Sequence, residues 1–153
     1  MIRPLADWLG AGVVLVLALS VVLIMGSCRI AHAEVSEIVL QTIAMESAND
    51  LEGMPYVAST LINRARKRHT SPQVEALRPK QYSCWNDRKW AKNWLQGHYD
   101  KTTRSNALKA YQDARNRNLG HYTHYHTANI LPYWAVGQKG VRHGKHIFYS
   151  NIK

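Results

Sequence analysis

The chain has 153 residues, with 20 Lys and Arg against 10 Asp and Glu and a formal charge of +10. A domain this basic suits an acidic, extended partner, and a hydrophobic content of 46% excludes a wholly disordered chain. Only two cysteines, Cys28 and Cys84, are present, which excludes a disulfide framework.

The first predicted element is a targeting segment. Arg3 precedes a small and apolar run from Ala11 to Met25, and Ala31-His32-Ala33 places small residues where a signal peptidase reads, with cleavage before Glu34. The alternative is an uncleaved signal-anchor: Leu9 to Ser27 carries no charge and comes close to the ~20 residues that span a bilayer. Either route exports residues 34–153, one domain of ordinary size, across the inner membrane to the periplasm or cell wall. Residues 9–27 then contact the inner membrane transiently. The removed part holds only Arg3, Arg29 and Asp7 as charges, so the domain keeps nearly all the positive charge. Nucleic acid would match that charge, but export argues against it. A bacterial envelope rich in carboxylates and phosphates matches both.

Glu34 to Ser47 reads as a helix, with Val35, Ile38, Val39 and Leu40 apolar and Glu46 near its end. Asn49-Asp50 breaks the pattern. A second helix covers Pro55 to Lys67, where Val57, Leu61 and Ala65 recur at i, i+4 and i+8, and Pro55 suits the first turn. Its basic end, Arg64 to Arg68, complements the helix dipole. Ser71-Pro72 is an N-cap and N1 pair, predicting a short helix to Leu77. Lys80 to Trp94 mixes Tyr82, Trp85, Trp90 and Trp94 with amides, the composition of a sugar-binding cleft. Trp90 and Trp94 read better as a core corner, Gln81 and Tyr82 as cleft. Ser105 to Asn118 is a helix with Gly120 as its C′ residue. Two β-prone stretches follow, Tyr122–Thr127 and Lys145–Tyr149, with glycines between them. The class is therefore α+β, helical with a short C-terminal β-hairpin.

Glu46 is a candidate proton donor, being a carboxyl at a helix end beside apolar residues. Five histidines crowd the C-terminal part: His121, His124, His126, His143 and His146. On a strand His124 and His126 share a face, so a zinc site is a rival reading, although no H-E-x-x-H occurs. Cys84 with a histidine is a further nucleophile pair to test.

Three ordered blocks resemble the SleB/CwlJ cell wall hydrolase family. The first comprises Glu46, Gly53, Val57, Ala58, Ile62, Asn63 and Arg64, with Met45 where the family usually has Gly. Gln81-Tyr82-Ser83-Cys84-Trp85 is the second. Tyr125-His126-Thr127 with Gly144-Lys145-His146-Ile147-Phe148-Tyr149 is the third. The resemblance implies a small lysozyme-like, lytic transglycosylase-like domain that cleaves the β-1,4 bond between N-acetylmuramic acid and N-acetylglucosamine. It makes Glu46 the general acid and assigns Gln81, Tyr82, Tyr125, His126, His146 and Tyr149 to substrate binding, with no metal or cofactor. A transglycosylase needs no second carboxylate, whereas ordinary glycosidases do. The partner is then the peptidoglycan glycan strand, the protein a monomer, and the role cell lysis, as in a phage endolysin, or wall remodelling. The alternatives are a zinc-dependent peptidoglycan amidase or peptidase using the C-terminal histidines, and a non-catalytic envelope-binding module.

Overall fold

Helix α1 spans Glu37–Ser47 in the computed structural model, which describes residues 34–150 and 152. Val39, Leu40, Ile43 and Ala44 lie on one face and are buried, so the helix forms by turning that stripe inward. Ala48 and Asn49 then take left-handed conformations, φ 47° and 60°, and stop the helix two residues after Glu46. Helix α2, Met54–Lys67, buries Val57, Leu61 and Ala65 as their spacing requires. Helix α3, Pro72–Ala76, starts where Ser71 Oγ accepts the Val74 N–H at 3.2 Å. A single 3₁₀ turn follows at Ser83–Trp85.

The aromatic stretch contains a helix that its composition conceals. Helix α4, Arg88–His98, is capped by Asp87, whose Oδ1 accepts the Lys89 and Trp90 N–H groups at 2.9 Å each. Its inward residues are Ala91, Trp94 and Leu95, at i, i+3 and i+4. Trp90 stands one position off that stripe and is 45% exposed, which corrects the core-corner expectation for it. Helix α5, Lys101–Asn116, begins earlier than its apolar pattern because Asp100 accepts the Thr103 N–H at 2.7 Å. Its cap is Arg117, not Gly120.

Strands β1 (His124–Thr127), β2 (Val141–His143) and β3 (His146–Tyr149) form an antiparallel sheet in the order β1-β3-β2. The expected pairing of the two β-prone stretches is the β1–β3 pairing, and β2 adds a third strand beyond it. Gly144 opens the two-residue turn between β2 and β3 with φ +58°. The core sits where α1, α2 and α5 meet, and the sheet leans on α2 through β1. The segment expected to be a signal or anchor, residues 1–33, lies outside the described residues. Among the described residues no helix is long and apolar enough to cross a membrane.

Candidate active site

Strand alternation decides which side chains meet Glu46. In β1, Tyr125 lies opposite Phe148 of β3, so both occupy the sheet face turned to the helices. His124 and His126 occupy the other face. The Tyr125 hydroxyl accordingly donates to Glu46 Oε2 at 2.9 Å. The second oxygen, Oε1, accepts the Cys84 backbone N–H at 2.9 Å and the Ser83 hydroxyl at 3.3 Å. Glu46 is half-buried, so the carboxylate is held from two sides with part of it open.

Burial, and then the Glu46 charge, push the Tyr125 hydroxyl well above its usual range, so it stays a neutral donor. The same two causes push the Cys84 thiol up. Cys84 is also 4% exposed, and a buried neutral thiol is a poor nucleophile. Its contribution to the site is its backbone N–H.

The Asn63-Arg64 pair assembles the segments around Glu46. Arg64 Nε donates to the Thr123 carbonyl at 2.6 Å, at the entry to β1, and its terminal nitrogen reaches the Gln81 carbonyl at 3.4 Å. Asn63 Nδ2 donates to the Gly120 and Tyr122 carbonyls at 3.1 and 3.0 Å. One turn of α2 therefore ties both segments that reach Glu46. Tyr82 is buried beneath Arg64, whose guanidinium carbon lies 5.4 Å from the ring centre.

The expected substrate residues divide into groups. Tyr125 joins Glu46 directly, and Tyr82 is buried in the core, where its ring carries the Arg64 guanidinium. Gln81 turns its amide oxygen to Arg68 at 3.2 Å. His126 and Tyr149 meet each other on the opposite sheet face, 2.9 Å apart, with Trp134 beside them. His126 Nδ1 donates to the Thr127 carbonyl, 2.8 Å away, and Nε2 faces the Tyr149 hydroxyl. His146 is 2% exposed, edge-on behind Tyr125 and 3.4 Å from Asp50. Burial keeps it from touching a sugar, so it supports Tyr125 from behind. Ser83, Arg64 and Asn63 stand in the family-like blocks, but nothing in their spacing shows which atoms they hold.

His124 is shifted down by burial and by the charges of Arg64, Lys67 and Arg68. It shares its face with His126 as alternation requires, but among the described residues no three His, Cys, Asp or Glu side chains converge to hold a metal ion.

A family model described as Cell Wall Hydrolase matches residues 48–149. The matched span holds Arg64, Ser83, Cys84 and Tyr125 and begins two residues after Glu46. No curated protein and no solved structure matches the chain significantly.

Proposed function

The chain belongs to the cell wall hydrolase family and acts in peptidoglycan degradation, and from that premise we propose that it cuts the glycan strand with Glu46 as acid and then base. The observation that carries this is the convergence on one carboxylate of a tyrosine hydroxyl, a serine hydroxyl and a backbone N–H from two distant segments. Such fixed donors aim a proton carrier at one place.

Oε1 faces a backbone N–H, which can only donate, so the transferable proton sits on Oε2. The Tyr125 hydroxyl beside Oε2 accommodates both states, because a hydroxyl donates or accepts. In the reaction, Oε2–H protonates the glycosidic oxygen as the bond to muramic C1 breaks. The 6-hydroxyl of the same muramic sugar then closes onto C1 and returns its proton to Oε2. No water is consumed, and the product ends in a 1,6-anhydro ring.

The other carboxylates support this route over hydrolysis, which needs a second acid nearby. Asp87 and Asp100 cap helices, and Glu37 pairs with Arg104. Glu75 pairs with Arg68 and Arg78, Asp113 with Arg117, and Asp50 binds the β2–β3 turn. Glu34 and Glu52 are left, one at the start of the described region and one in the turn before α2.

Mass spectrometry of digested peptidoglycan tests the reading. The expected products are disaccharide fragments with anhydromuramic ends. Reducing muramic ends would replace transglycosylation by hydrolysis, and free stem peptides beside intact glycan would favour the amidase alternative. Tyr125→Phe removes the donor on Oε2, and a hydrogen bond to a charged group is worth about 1.5–3 kcal/mol. Activity on purified glycan strands should fall roughly 10- to 100-fold, with a lowered melting temperature, because the same bond also contributes to folding.

Export is part of the same proposal, since the substrate lies outside the inner membrane. Replacing Ala33 by Arg should block cleavage after residue 33 and leave a larger, membrane-associated protein. N-terminal sequencing of the exported wild type reads the outcome: a start at Glu34 supports cleavage, and an intact N-terminus supports the anchor.

A further inference from the structure

A cavity of about 490 Å³ lies beside the Ser83–Trp85 turn, between that turn, the residue after α3 and one face of α4. Leu77, Trp85, Ala91 and Leu95 give it apolar walls, and Arg88 and Lys92 stand at its rim. These two cations are four residues apart on α4, so they share one helix face. Neither forms an ion pair among the described residues, whereas Arg68, Arg78, Arg104 and Arg117 are each matched to an acid. Leu77 is 49% exposed at the same place. Apolar walls under two unneutralised cations fit an acidic ligand with small apolar groups.

The cavity shares its wall with the proposed catalytic carboxylate. Cys84 donates its N–H to Glu46, and the next residue, Trp85, lines the cavity. The Trp85 indole N–H also donates to Thr42 Oγ1 at 2.8 Å, one helical turn before Glu46 on α1. Four residues of helix rise about 6 Å. An extended peptide of three residues reaches roughly 10 Å, further than that rise.

We propose that this cavity receives the peptide stem carried by the muramic acid beside the cleaved bond, making the protein selective for peptide-bearing strands over bare glycan. The proposal rests on the glycan-cleaving reading above. The stem combines small apolar side chains, which match the walls, with free carboxylates, which match Arg88 and Lys92. Charge complementarity and continuity with the Glu46 support select this occupant.

The test compares the full chain on peptide-bearing strands and on the same strands stripped of stems by prior amide cleavage. The wild type should cut the peptide-bearing strands with a kcat/KM about three- to tenfold higher, since two exposed charge contacts are each worth up to a few-fold. The double variant Arg88→Ala/Lys92→Ala should lose the preference through a raised KM, keep the wild-type rate on stripped strands, and melt like the wild type. Arg88→Lys/Lys92→Arg should restore the preference. Equal wild-type rates on both substrates, or a double variant equally slow on both, would overturn the stem site and leave glycan cleavage standing. Cleavage of neither glycan would overturn the glycan-cleaving reading and this proposal with it.

Discussion

Glu46→Gln is expected to fold like the wild type and to lose at least about a hundredfold of its glycan-cleaving rate, the usual contribution of a positioned acid–base group. The substitution suits this site because each contact has a substitute. The amide oxygen takes the place of Oε1 and keeps accepting from the Cys84 N–H and the Ser83 hydroxyl. The amide nitrogen then faces the Tyr125 hydroxyl, which rotates to accept. What is lost is the transferable proton. Clearing of purified peptidoglycan together with a thermal melt measures both parts. An unchanged melt with unchanged clearing would remove Glu46 from the mechanism, and a lowered melt would show that the side chain holds the site together rather than reacting.

Asp50→Asn should lower stability by about 1–3 kcal/mol near neutral pH, the scale for a buried charged hydrogen-bond acceptor, with a loss that shrinks in acid. Asp50 Oδ2 accepts the Lys145 N–H at 2.6 Å and lies 3.4 Å from His146 Nδ1. Two glycines leave room for it. A Cβ on Gly53 would come within 2.5 Å of the carboxylate, and one on Gly144 within 2.3 Å. Burial opposes ionisation of Asp50, but the N–H groups of Lys145 and Gly53 and the His146 ring outweigh it and hold the carboxyl below its usual range. A folded-state value below the unfolded one, ~3.9, means that the stabilisation is complete above that pH. It is lost as pH falls through the folded value. Urea unfolding at neutral pH and in acid should therefore show wild type and variant converging in acid. A gap independent of pH would mean that shape, not charge, is what Asp50 contributes. Because His146 stands behind Tyr125, the variant should also loosen the donor on Glu46 and slow the reaction.

Local chemistry made much of the helical frame legible. The stripe of Val57, Leu61 and Ala65 specifies α2, and Ser71-Pro72 specifies α3, because period and capping act within a few residues. Helix α4 escaped that reading: its inward face is only Ala91, Trp94 and Leu95, and its tryptophans resemble a sugar cleft as much as a helix. The first turn of α5 is polar, so its start depends on the Asp100 cap rather than on any apolar pattern. Strand β2 is short and largely exposed, and pairing with β3 is what makes it a strand.

The composition of the site belongs to the other kind of information. Tyr125 and His126 are neighbours in sequence, and either could face Glu46 as far as the residues themselves dictate. A one-residue slip of β1 against β3 would turn His124 and His126 inward and Tyr125 out. The register that pairs Tyr125 with Phe148 is held where Asn63 and Arg64 grip the backbone before β1 and where Phe148 seats against Tyr56 of α2. A strand's period of two offers two faces, and only packing at long range chooses between them. That choice puts a hydroxyl, not an imidazole, on Glu46.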